Sequence, residues 1–231
     1  MVLLLCIVLL IVWYLSNVTS NPPGYHIDES SISYNAHLIA QTGRDEYGEV
    51  WPLYFRAFDE YKNPTYIYLL AALFSLTGPS ILVARTLSVV LGIGAALLLG
   101  VLGTRTTKSR FAGLLVTLTA LLTPWLFEMS RVVFEVAIYP LVLALYLIHL
   151  QHIFRKSKWS ALDNFISAFL LALITYSYSI GRLLGPLLAF GLVIFVSRTL
   201  WTGVLKTWIA YAIALIPLFV FWRRHAGALT G

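Results

Sequence analysis

The chain has 231 residues, 59% of them hydrophobic and 11% charged, with a mean hydropathy of +0.83. Soluble domains carry about 25% charged residues, so this composition excludes an ordinary water-soluble globule and points to an all-α integral membrane protein. The formal charge is +6, but the basic residues sit near the ends of apolar segments, where membrane orientation and lipid phosphate account for them better than nucleic acid does.

Val2 to Leu15 is an apolar run ending in Trp13 and Tyr14, as an interfacial aromatic belt does. It lacks the basic start and small-residue cleavage site of a signal peptide and reads as a first span. Cys6, inside it, is the only cysteine, so no intrachain disulfide forms.

The polar stretch that follows, within residues 18–78, contrasts with the rest of the chain. Seven of the ten carboxylates lie between Tyr25 and Pro64: Asp28, Glu29, Asp45, Glu46, Glu49, Asp59 and Glu60. Asn21-Pro22-Pro23-Gly24 breaks the first helix. Ile32, Ala36, Ile39 and Ala40 recur at helical spacing and predict a short helix over Glu29–Ala40, lying on the membrane. Gly43 and Gly48 bracket a charged turn. Pro64 starts a helix over Thr65–Leu76, stopped by Gly78-Pro79. At 1.5 Å per residue it covers roughly 20 Å, short of the hydrocarbon thickness, and reads as interfacial rather than crossing.

Six later apolar runs, roughly Ser80–Gly103, Phe111–Phe127, Val132–Phe154, Ala161–Ser177, Leu183–Val196 and Val204–Trp222, bring the expected spans to about seven. Three of the linkers between them are basic: Arg105, Lys108 and Arg110; Arg155, Lys156 and Lys158; and Arg198 to Lys206. With Thr65–Leu76 not crossing, all three fall opposite the acidic stretch. The positive-inside rule then makes that stretch extracytoplasmic, in a multi-pass protein of the cell membrane. Gly92, Gly94, Gly100 and Gly103 fall inside a span, where close helix packing explains them.

On the acidic side the span ends carry ionisable groups: Arg85, Glu128, Arg131, Glu135 and Arg182. Charges at membrane depth cost about 2.5–3.5 kcal/mol on insertion scales and usually face the bundle interior or water. If one helix covers them, Glu128, Arg131 and Glu135 share a face. Snorkelling arginines and local ion pairs are the bland reading. Carboxylates and cations gathered at one membrane face also suit a phosphate-bearing lipid and a reacting hydroxyl. His26 and His37 form too thin a ligand set to specify a metal by themselves.

The order of these features resembles the polyprenyl-phosphate-sugar-dependent glycosyltransferases of the GT-C fold, in particular the protein O-mannosyltransferase and aminoarabinose transferase superfamily. The resembling segments are Asp28-Glu29 in HIDESSISYNAHLIAQTG after the first span, Lys62-Asn63-Pro64 before TYIYLLAALFSLTG, and Gly78 with Arg85 and Ser88 at the head of the second span. Glu135 in SRVVFEVAIYP and the stretch YSYSIGRLLGP, Tyr176 to Pro186, complete it. The Lys-Pro-Pro form of the family is Lys-Asn-Pro here, and the second acid is Glu where some members have Asp.

The resemblance implies transfer of a sugar from a polyprenyl-phosphate donor to an acceptor hydroxyl on a protein, lipid or glycan, with inversion. Asp28 would be the base, with Glu29 orienting the loop or acceptor and Glu135 assisting. Lys62, Arg85, Arg131 and Arg182 are the implied phosphate ligands, and Tyr176 and Tyr178 the pocket residues. A divalent ion held by Asp28 and Glu135 is left open, since some members use a metal and others do not. Members run on past a seventh span, so a further C-terminal module beyond Gly231 is expected. Two alternatives are a multi-span transporter, which requires mid-membrane ionisable groups and internal repeats, and a non-catalytic membrane scaffold.

Overall fold

The computed structural model describes residues 1–58 and 60–225; Asp59 of the acidic stretch and the last six residues, through Gly231, lie outside the described residues. Ten α-helices are described: α1 (Val2–Leu15), α2 (Ile27–Thr42), α3 (Pro64–Thr77), α4 (Ile81–Thr107), α5 (Arg110–Leu122), α6 (Pro124–Ser130), α7 (Tyr139–Ile153), α8 (Ala161–Ser177), α9 (Gly181–Phe195) and α10 (Trp201–Arg224). Short 3-10 turns, Glu135–Ile138 and Arg198–Leu200, lead into α7 and α10. A two-stranded antiparallel ribbon, β1 (Phe55–Ala57) and β2 (Glu60–Lys62), pairs Phe55 with Lys62. Three-residue strands have no alternation long enough to be legible, and the ribbon is an addition to the expected helices.

Three helical stretches are long and apolar enough to cross a membrane: Ile81–Thr107, Glu135–Ile153 and Arg198–Arg224. A fourth appears if Arg110–Leu122 and Pro124–Ser130 count as one span. The chain is therefore a helical protein of membrane type. The expected unbroken run Phe111–Phe127 is corrected: α5 and α6 meet at 63°. Pro124 supplies no amide hydrogen and disfavours helical backbone at Thr123, which takes φ −70, ψ 118. The run Val132–Phe154 corresponds to the span Glu135–Ile153, whose first residues form a 3-10 turn before regular α-helix begins at Tyr139. Since α6 ends at Ser130, Glu128, Arg131 and Glu135 do not share one helix face.

The bundle has two chemically different ends. At the head, the chain leaving α1 meets the start of α4, Thr65 of α3 donates to the Tyr176 carbonyl at the end of α8, and Tyr61 of β2 packs on Phe221 near the end of α10. At the base, Gln151 of α7 bonds Thr106 of α4, and Lys156 pairs with Asp163 at the start of α8. The three basic linkers are at the base and the acidic segment is at the head.

Helix α2 starts on His26, whose Nδ1 accepts the Asp28 amide while the Glu29 carboxylate accepts the His26 amide. It stops at Gly43, in the left-handed region at φ 67, which glycine reaches without a Cβ penalty. Its predicted apolar residues Ile32, Ala36 and Ile39 are buried in one cluster with Ile67, Leu70 and Phe74 of α3. The apolar stripe therefore faces another helix rather than lipid. Pro64 opens α3 and Gly78 closes it, as expected. Tyr66 of α3 bonds Ser88, two turns into α4, and α3 passes into α4 through a short turn, so both ends of α3 stay at the head. Lower down, a Cβ at Gly100 would collide with Thr117 and one at Gly113 with Thr104, so α4 and α5 touch backbone to side chain, as the small residues predict.

Candidate active site

Two buried arginines shape the head. Arg85, fully buried in α4, places Nε 2.9 Å from Glu29 Oε1 and Nη2 2.9 Å from Oε2. Its remaining hydrogens go to the carbonyls of Val18, Thr19, Pro22 and Gly24. A guanidinium has five N–H donors, and all are engaged. Arg131, 2% exposed, bonds the carbonyls of Tyr14, Ser16, Asn17 and Asn21. It thus satisfies carbonyls that α1 leaves open at its C-terminus, where positive charge is favoured.

These contacts correct two expectations. Arg85 and Arg131 face the chain itself and offer a phosphate no open fork. Glu29 is likewise fully engaged: besides Arg85 and the His26 amide, it accepts the Val133 amide at 3.0 Å. Its pKa is lowered: burial opposes the charge, but Arg85 and the two amides outweigh that. Glu29, 1% exposed, ties the loop after α1 to α4 through Arg85. Asp45 and Glu46 are similarly occupied, Asp45 by the Tyr47 and Glu49 amides and Glu46 by Asn35.

Asp28 has a different setting. It lies next to Glu29 in α2, so the clamp that fixes Glu29 also fixes Asp28, on the outer side. Its side chain is 25% exposed, and Oδ1 lies 2.7 Å from Lys62 Nζ on β2. His26 Nδ1 lies 3.4 Å from Oδ2. With its one lone pair accepting the Asp28 amide, Nδ1 has no hydrogen to give the carboxylate. The pKa of Lys62 is raised: burial works against its charge, and the Asp28 hydrogen bond, aided by Glu135 and Glu60, overrides this.

Glu135 enters from the turn before α7. It accepts the Asn63 backbone amide and, at 3.2 Å, the Asn63 side-chain amide. The carboxylate therefore sits at the N-terminus of α3, where the helix dipole favours it. Lys62 and Arg182 are both within electrostatic reach of it. Asp28, Lys62, Glu135 and Tyr178 line one cavity of about 260 Å³ together with Ile32 and Phe134. Residues far apart in sequence, from α2, β2, the α7 approach and the end of α8, meet there.

Arg182, at the start of α9, lies over the Tyr54 ring at 5.0 Å, and its Nε is buried without a hydrogen-bond partner. Burial pushes the Tyr54 pKa up to about 12 against the lowering effect of Arg182, which is close enough to hydrogen-bond its hydroxyl, so Tyr54 stays protonated. Tyr176 is a structural residue here: its hydroxyl donates to the Ala214 carbonyl at 2.9 Å, and its own carbonyl accepts from Thr65.

Asp28 and Glu135 do not form a metal site. Each faces a nitrogen donor, Lys62 or Asn63, and among the described residues no group of three or more His, Cys, Asp and Glu could hold an ion. A lysine in the ligand shell repels a dication, so the donor set does not fit one.

Sequence reasoning missed Asn63 and Tyr54. For Asn63 a signal exists, because an asparagine before Pro64 sits where an N-cap residue is preferred. Tyr54 carries none. Comparison with models of known families, with curated proteins and with solved structures gives no match.

Proposed function

We propose that this chain is a membrane glycosyltransferase module that moves a sugar from a polyprenyl-phosphate donor to an acceptor hydroxyl at the head of the bundle. One observation carries the reading: Asp28, its side chain 25% exposed, shares a cavity with Lys62 and Glu135 at the end of the bundle opposite the basic linkers. About seven crossings, with α3 interfacial and the head extracytoplasmic, complete it; α1, α8 and α9 are the short spans.

In the proposed step the acceptor hydroxyl gives its proton to Asp28 as its oxygen bonds the anomeric carbon. The bond from that carbon to the phosphate oxygen breaks on the opposite face, and the electron pair leaves with the lipid phosphate. The phosphate is a good leaving group and needs charge neutralisation more than a proton. Lys62 and Arg182 are placed to supply it, as point charge and planar fork. Lys62 turns from Asp28 toward the phosphate, which frees the base. Glu135 holds the start of α3 and keeps both cations near it.

The test uses purified protein in lipid with a radiolabelled polyprenyl-phosphate sugar, following release of polyprenyl phosphate. Wild type releases it and Asp28→Asn does not. No release by wild type, or release by Asp28→Asn near the wild-type rate, removes the reading. Cysteine tags at Tyr47 and Lys108 should label from opposite sides of the membrane.

A further inference from the structure

The head carries a second hollow, of about 270 Å³, lined by Ser30, Ser31, Tyr34, Glu46, Tyr47 and Phe58 among others. It shares no lining residue with the Asp28 cavity. Helical spacing separates the two: Ser30, Ser31 and Tyr34 fall on one face of α2, and Asp28 and Ile32 on another. Tyr34, Tyr47 and Phe58 are each more than half exposed. A lone exposed ring needs no explanation, but rings gathered around one concavity do. Phe58 holds its place against its own backbone preference, with φ 51 in the left-handed region that bulky side chains rarely enter. The Arg56 guanidinium lies over the Tyr47 ring at 5.4 Å.

The polar groups are equally particular. Buried Asn35 donates to Glu46 Oε1 at 2.9 Å and accepts the Glu46 amide at 3.1 Å. These contacts fix the carboxylate and leave Oε2 unbonded among the described residues. Ser31 is 9% exposed, and its hydroxyl makes no hydrogen bond among the described residues. A nearly buried hydroxyl without a protein partner calls for one from outside the chain. Rings, a fixed carboxylate and an open hydroxyl together suit a neutral polyol. The face of an aromatic ring is negative and attracts the C–H face of a sugar ring, while sugar hydroxyls donate to Glu46 and bond Ser31. Glu46 is the only charged residue lining the hollow, so an anion is disfavoured. A hydrocarbon would leave both polar groups unanswered. The volume lies just below the about 300–1,000 Å³ of drug-sized sites, which suits a single sugar ring. We propose that this hollow is a saccharide-binding site, separate from the Asp28 cavity, that takes one neutral sugar residue of a glycan. The proposal does not rest on sugar transfer.

Saturation-transfer NMR on the full chain in lipid nanodiscs, with mannotriose, maltotriose and chitotriose as probes, tests it. At least one of the three should bind at millimolar affinity or tighter, with saturation reaching its ring C–H protons. Phe58→Gly removes the ring but suits the left-handed backbone, so it should fold and weaken binding by about tenfold. Glu46→Gln can keep the Asn35 contact and should also weaken binding by about tenfold, because the charged acceptor is gone. Asp28→Asn should bind as wild type does. No binding by any of the three probes, unchanged binding in Phe58→Gly or Glu46→Gln, or loss of binding in Asp28→Asn overturns the proposal. Saccharide binding in a chain that releases no polyprenyl phosphate leaves it standing and removes the enzyme reading instead.

Discussion

Arg85 and Glu29 form a buried two-armed pair, each arm 2.9 Å, between the second turn of α4 and the first turn of α2. Neither side chain is accessible, at 0% and 1% exposure. Through Arg85 the pair also reaches four carbonyls of the chain after α1, so one guanidinium joins α1, α2 and α4. Asp28 inherits its position from this joint.

Breaking the pair should therefore unfold the head. Removing one partner of a buried ion pair costs about 3–5 kcal/mol, because the other charge is stranded. Arg85→Met and Glu29→Gln are both expected to lower the midpoint of thermal unfolding in detergent markedly. Arg85→Lys should not rescue it, since three rotatable donors cannot reproduce a five-donor fork. A midpoint unchanged in Arg85→Met would show that the carbonyls hold the loop without it.

The same pair sets an acid limit. The folded pKa of Glu29 lies below its ordinary 4.5. For a lowered carboxylate the stabilisation is complete above the unfolded value and disappears as pH falls through the folded one. Stability of the wild type should thus fall as pH drops below about 4.5. Glu29→Gln, already weakened at neutral pH, should show a shallower fall. Parallel curves for the two proteins would mean that another carboxylate governs acid unfolding.

Helix boundaries and the order of site segments were legible because they depend on local chemistry. Pro64, Gly78-Pro79 and Gly43 act where they stand, and the stripe of Ile32, Ala36 and Ile39 needs only helical spacing. The roles of Arg85 and Arg131 were not legible. Their partners are mostly backbone carbonyls, 110 residues away for Arg131 and Asn21, and a carbonyl has no letter in the sequence. An arginine near a span end reads equally as a phosphate ligand or a helix cap; only the occupied donors decide. The contact of Glu135 with Asn63 was hidden because it depends on how the chain turns between α6 and α7. Asp28 and Lys62 meet because the turn before Pro64 returns the chain to the first turn of α2.

Close packing between α4 and α6 gives a swap test. A Cβ at Gly92 would collide with the hydroxyl of Ser130, while the Ser130 backbone stands 3.8 Å away. Overfilling a packed contact costs about 1–3 kcal/mol. Gly92→Ala should therefore lower the unfolding midpoint, and Ser130→Gly should recover most of the loss only in the Gly92→Ala background. Additive losses in the double variant would contradict direct contact.

Asp28 and Lys62 are joined at 2.7 Å yet should fail in different ways. Their pair is part-exposed, so its loss should cost no more than about 1 kcal/mol of stability, and both variants should fold. A general base acts on the transition state and contributes about 10²–10⁴-fold to rate. Asp28→Asn is thus expected to lower kcat by that range with little change in the donor KM. On the proposed reading Lys62 acts on the phosphate in ground and transition states alike, so Lys62→Met should raise the donor KM, by about tenfold for one charge-assisted contact, with a smaller fall in kcat. Lys62→Arg should recover part of the KM because the charge remains. The discriminating outcome is the split itself: if Lys62→Met leaves the donor KM unchanged and only kcat falls, Lys62 serves to position Asp28 and not to hold phosphate, and the cation facing the leaving group is Arg182 alone.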